Sequence, residues 1–213
     1  MSGRAIALTQ PDTAHCGFYG KLPARGDFVR CGLAGSFISA WDAWAQIVLT
    51  GSRKIMGDAW VPAWLEAPVW RFALPGGLCG STTVAGLFMP SVDRVGRFFP
   101  LCFGCLEAGA TAGAAAEKAG GWLAGAEEAG RAALSEDLAP EEVIARIAAP
   151  RDVVAISEEL RLLAAEVDCG LWWTDGSPRV PPGAFALAVL PDPERFVDML
   201  DARFLSADSG GGA

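Results

Sequence analysis

Apolar and polar positions alternate along this chain with two different periods. From Ser36 to Gly51, Phe37, Ile38, Trp41, Trp44, Ala45, Val48 and Leu49 recur at the spacing of one helical face. Ser36 is placed to cap that helix and Gly51 to stop it. A second, short helix is expected over about 59–65, with Pro62 tolerated in its first turn. The period then shortens to two in VWRFAL, 69–74. The runs CGFYGK (16–21), VWRFAL (69–74), STTVAGLFM (81–89) and RFFPLCFGCLE (97–107) read as strands. The last three follow one another through short connections and predict an antiparallel meander. An Ala- and Gly-rich stretch, 108–134, reads as a helix that its glycines weaken by about 1 kcal/mol each relative to Ala. Pro140 opens another helix, and Ser157 caps a third with Glu158 and Glu159 in its first turn. CGLWWT (169–174) and GAFALAVL (183–190) read as strands around a polar turn. Asp192-Pro193 starts a last helix reaching about Phe204.

The elements predict a single α+β domain over 1–213. Its mainly antiparallel sheet is covered by the 36–50 helix and the later helices. Residues 1–15 and 206–213 are expected to be flexible. Neither an internal repeat nor a linker divides the chain.

Length and composition narrow the picture. A chain of 213 residues buries roughly 70% of its unfolded surface and needs no staple to fold. Hydrophobic residues at 52% against charged residues at 20% exclude a disordered chain. The net charge of -8 is unevenly spread: residues 1–100 sum to +3 and residues 101–213 to -11. The basic residues are scattered, so nucleic acid is not an expected partner. An acidic second half favours solubility and steering toward a basic protein surface. The start, MSGRAIALTQPDTAH, has no basic region followed by a long apolar stretch. No run approaches the ~20 apolar residues of a membrane span. A cytoplasmic protein with six free, mostly buried thiols is expected. Cys102 and Cys105 form a C-x-x-C inside an apolar strand. No second pair stands at zinc spacing, so packing is favoured over a metal or redox role.

Candidate chemistry is sparse. GGLCGSTT lacks the Lys and the spacing of a phosphate loop and reads as a hairpin connection. There is no G-x-S-x-G elbow, and His15 is the sole histidine. Two polar loops stand out. One runs from Lys21 through Arg25 and Asp27 to Phe28; the other runs from Pro90 through Asp93, Arg94 and Arg97 to Pro100. Each carries both charge signs beside Gly and Pro. Either each loop holds its own turn with an internal ion pair, or the two meet and form a polar site on a rigid sheet. Charges so close to apolar strands require partners in both cases. Trp41 and Trp44 belong to the helical core face. Trp172 and Trp173 are adjacent on a strand and point to opposite faces, so one of them faces either a covering helix or a binding partner.

These same residues carry a resemblance. GFYGKLPARGDFV (17–29), WDAW (41–44), WLEAPVWRFAL (64–74) and AGLFMPSVDRVGRFFPL (85–101) closely resemble the type VI secretion-associated TagF/ImpM family. LWWTDG (171–176) and the closing helix around Phe196 extend the likeness over most of the chain, with 108–150 the least distinctive part. The resemblance implies a cytoplasmic accessory protein of a bacterial type VI secretion system. It implies a post-translational repressor of assembly acting by contact with a forkhead-associated-domain protein. It supplies no catalytic residues to carry over, and neither a cofactor nor an enzymatic activity is expected. The matching charged positions Lys21, Arg25, Asp27, Asp93, Arg94 and Arg97 are the candidate binding site. Two other readings stay open: an enzyme using that Lys/Arg/Asp cluster on a phosphorylated substrate, and a structural subunit of the apparatus.

Overall fold

The computed structural model describes residues 16–23, 26–136, 138–149, 152, 154–166 and 169–205. The segments expected to be flexible, 1–15 and 206–213, lie outside them. Strands β1 (Cys16–Gly20), β2 (Val29–Cys31), β3 (Trp70–Leu74), β4 (Thr83–Met89), β5 (Leu101–Glu107), β6 (Gly170–Thr174) and β7 (Gly183–Leu187) form one sheet. Its order is β2-β1-β5-β4-β3-β6-β7. Every pairing is antiparallel. β3, β4 and β5 are the expected meander; residues 75–82 form the β3–β4 connection, so the strand expected from Ser81 begins at Thr83. β2 is an element the sequence did not announce: three residues that pair with β1 at an edge of the sheet.

The helices are α1 (Gly35–Met56), α2 (Trp60–Glu66), α3 (Ala112–Ser135), α4 (Pro140–Ile147), α5 (Glu158–Glu166) and α6 (Pro193–Leu200). Two boundaries of α1 differ from expectation. Its N-cap is Ala34 and makes no side-chain cap bond, and the helix passes Gly51 to end at Gly57. Gly51 sits mid-helix because Pro193 packs where its Cβ would lie, 2.5 Å from the proline Cβ.

Strand alternation sorts the core into two faces. Phe72, Leu74, Val84, Phe88, Cys102 and Trp172 point toward α1, α2 and α6. Ala85, Leu87, Met89, Leu101 and Phe103 point toward α3 and α4. Trp41 lies at the centre of the first face, with rings of Phe37, Trp44, Phe72 and Phe88 within 6 Å. Aromatic pairs of this kind add about 0.5–1.5 kcal/mol beyond their buried area. Of the adjacent tryptophans, Trp172 joins the first face, and Trp173 packs with residues of the second beneath α3 and α5. Trp173 is half-buried: residues of α3 and α5 pack against it, and its remaining surface lines a cleft between them.

The glycines of α3 have a packing role that outweighs their helix cost. A Cβ on Gly120 would lie 1.9 Å from the Val154 carbonyl oxygen, and one on Gly130 2.5 Å from Met89 Cε. The helix therefore lies closer to its neighbours than an alanine would permit.

One cysteine expectation is corrected. Cys16 and Cys105 form a disulfide, because the antiparallel register sets them directly opposite on β1 and β5. Cys31, Cys79, Cys102 and Cys169 are free. Cys102 is a core residue, as the packing reading of C-x-x-C requires. Three residues apart on a strand, Cys102 and Cys105 point to opposite faces. Burial pushes the Cys79 thiol up to about 12.

Candidate functional site

The topology brings the two polar loops together. Tyr19 of β1 pairs with Cys102 of β5, and Met89 of β4 pairs with Leu101. The end of β1, the end of β4 and the start of β5 thus lie side by side. The 21–28 and 90–100 loops leave the sheet at one edge of the molecule. Gly20, at φ 146°, permits the contact: a Cβ there would sit 2.3 Å from the Pro100 carbonyl oxygen.

Asp93 is the hub. Its Oδ2 accepts from Lys21 Nζ at 2.6 Å and from Arg97 Nε at 2.7 Å. Its Oδ1 accepts from the backbone N–H groups of Val95 at 3.0 Å and Arg97 at 2.8 Å. The Asp93 side chain is fully covered, and that of Lys21 is 6% exposed. Burial alone would raise the Asp93 pKa. The Lys21, Arg97 and Val95 donors override it and hold the carboxyl well below the usual carboxylate range. Gly96, at φ 83°, closes the turn by donating to the Asp93 carbonyl at 2.9 Å. Ser91 Oγ donates to the Lys21 carbonyl at 2.7 Å, and Arg97 Nη2 donates to the Gly26 carbonyl. The loops are therefore cross-braced by an ion triad and by side-chain bonds to backbone.

Rings pack beneath the brace. Phe28 stacks on Tyr19 at 5.5 Å and meets Phe99 edge-on at 4.8 Å, with Lys21 Nζ 5.0 Å from the Phe28 ring centre. Tyr19 donates its hydroxyl to Asp42 Oδ1 at 2.6 Å. Burial first, and that bond second, push its pKa up, so the phenol stays a donor. Phe98 turns the other way, onto Trp60 and Trp64.

The six candidate positions thus separate. Lys21, Asp93 and Arg97 meet in one network. Arg94 is exposed, with its guanidinium beside Gly26, and Asp27 is exposed on the first loop. Among the described residues neither has an ion-pair partner. Arg25 lies outside the described residues. Both alternatives are present at Asp93: it pairs with Arg97 inside its own loop and with Lys21 of the other loop. Chemically, the carboxylate of Asp93 spends both oxygens on four donors, and Lys21 is tied to it. Tyr19, Asp42 and Ser91 support the site but carried no sequence signal as a group. The rings at 28 and 99 were visible only as apolar neighbours of the charged loops.

A second depression, a cleft of about 500 Å³, lies on the other face of the sheet between α3, the 154–157 segment and β7. Arg71 lines it, held by Glu127 at 2.5 Å and Asp175 at 2.8 Å. Ser157, also on its wall, caps α5 by accepting from Leu160 N at 3.2 Å. No group of three or more His, Cys, Asp and Glu is placed to hold a metal ion among the described residues. Nor is any described helix long and apolar enough to cross a membrane.

An open antiparallel sheet, helices on both faces and a cross-braced loop pair at one edge define a loop-presenting α+β scaffold. The family model described as TagF N-terminal domain, type VI secretion system-associated, matches residues 17–149, more than half of the chain. The protein belongs to that family and is a type VI secretion-associated protein. It is also similar to PA0076 from Pseudomonas aeruginosa PAO1, a crystal structure at 2.05 Å resolution. That similarity has a TM-score of 0.72 and 33% identity and covers 88% of this chain and 94% of that one. No curated protein matches it.

Proposed function

We propose that this chain is a cytoplasmic, non-enzymatic regulator of a type VI secretion apparatus. It restrains assembly after translation by binding a forkhead-associated-domain protein of the same system. Membership of the TagF family supports the setting. The observation that supports binding over catalysis is the state of Asp93. Its four donors leave no free base, and its partner Lys21 is buried with it. The network fixes loop geometry instead, and rigid loops on a scaffold suit recognition. The β1–β5 ladder sets the position of β1 independently of the sulfur bridge, so the site does not depend on an oxidising compartment.

The test is made in the bacterium. Deleting the gene raises export of the apparatus's secreted tube protein with its transcript level unchanged. Overproducing the chain abolishes export. Unchanged export in both strains overturns the proposal.

A further inference from the structure

The cross-braced loops do more than pair with each other. The brace buries Lys21 and Asp93 yet pushes the turn between Asp93 and Arg97 outward. Val95, at its tip, is 65% exposed while its backbone N–H is held on the buried carboxylate. Phe28 is 46% exposed on the facing loop. Between and beside them stand Arg94, with no ion-pair partner among the described residues, and Arg97, 57% exposed although its Nε holds Asp93 and its Nη2 the Gly26 carbonyl. A further cation, Arg53, lies 4.2 Å over the Trp60 ring and 5.1 Å from that of Phe98, likewise without a carboxylate partner among the described residues.

The rest of the chain sharpens this. Net charge is -8, and residues 101–213 sum to -11. Arg94 and Arg97 are cations on a chain of net negative charge and are where an acidic group is attracted, while Asp27 and Glu141 line the depression beside Phe28 and confine that attraction to the tip. Preorganisation by four bonds to Asp93 removes the ordering cost that a free loop would add on binding.

We infer that the Arg94–Val95 tip together with Phe28 is the contact surface for the partner named above, and that the partner meets it with an acidic group beside an apolar socket. The inference rests on the proposed binding of a forkhead-associated-domain protein. Arg94 and Arg97 take the acidic group, and Val95 and Phe28 fill the socket. Asp27, exposed on the same loop, has no favourable role toward an acidic surface.

The experiment titrates the purified full chain against the purified cognate forkhead-associated-domain protein by calorimetry, at low and at physiological salt. Arg94→Glu and Val95→Ser each weaken association by about tenfold or more, and Asp27→Lys does not weaken it. Salt weakens the unmodified pair more than it weakens the Arg94→Glu pair. Both variants lie in exposed positions, and either one that retains the unmodified chain's melting transition suffices. Unmodified proteins that bind while Arg94→Glu and Val95→Ser bind equally well place the contact elsewhere; the surface inference then falls and the functional proposal stands. Weakening by Asp27→Lys with strengthening by Arg94→Glu means a basic partner and overturns the inference. So does Arg94→Glu dissolving a self-association of this chain with the partner's affinity unchanged. Absence of any association between the unmodified proteins defeats the functional proposal and the inference together.

Discussion

Helix α6 lies beyond the residues matched by the TagF N-terminal domain model, yet it closes the first core face. Phe196 tests whether that helix is part of the same cooperative unit. Its side chain is 1% exposed. Its ring meets Trp44 edge-on at 5.9 Å and stacks near Phe88 at 6.3 Å. Two indole bonds anchor the surrounding backbone: Trp44 Nε1 donates to the Pro191 carbonyl at 2.8 Å and Trp70 Nε1 to the Met199 carbonyl at 3.0 Å. Phe196→Ala removes the ring while those bonds hold the helix in place, so the site collapses poorly. A buried Phe→Ala change of this kind costs about 3–5 kcal/mol. For a chain of this size each kcal/mol lowers the melting temperature by roughly 2–4 °C, giving a fall of about 6–20 °C. Calorimetry and urea unfolding give both quantities. The unfolding remains one transition, because α6 and the sheet share a core. Leu65→Ala, at an exposed position of α2, is the control and stays within about 0.5 kcal/mol. A loss below about 1 kcal/mol for Phe196→Ala, or a separate early transition, would refute the reasoning.

Further expectations concern the brace and the glycines. Because the folded Asp93 pKa lies below its unfolded value near 3.9, the brace contributes stability at neutral pH. That stability is retained above the unfolded pKa and is lost as pH falls below about 4 toward the folded value. Urea unfolding against pH shows this loss, and Lys21→Met/Asp93→Asn flattens the acid limb; an equally steep limb in that variant contradicts the assignment. Gly120→Ala is destabilising by about 1–3 kcal/mol despite the gain in helix propensity, because its Cβ meets the Val154 carbonyl. Gly35→Ala, where nothing lies within 4 Å of the new Cβ, is stabilising by roughly 0.5–1 kcal/mol in the same melts.

The sheet was legible in the sequence where the period was clean. Alternation in VWRFAL and the turn-rich connection to STTVAGLFM mark the two strands, and short connections determine the meander. What escaped depended on distant partners. β2 consists of three residues that become a strand only because β1 offers an edge. The run starting at Arg97 looked like strand but pairs regularly only from Leu101, since Asp93 captures Arg97 and pulls the preceding residues into a turn. Gly51 reads as a helix stop in one dimension and serves as a seat for Pro193 in three. The disulfide depends on the β1–β5 register, which no local spacing encodes. The candidate site followed the same rule. Loop composition pointed to Lys21, Asp93 and Arg97, while their division into buried brace and exposed tip came from the strand order that sets the two loops side by side.

Direct association of the two proteins is measured most plainly by sedimentation of a mixture of the purified pair. This chain and the cognate forkhead-associated-domain protein are expected to migrate as a single complex at micromolar concentrations and low salt. Independent boundaries for the two proteins under those conditions would contradict it.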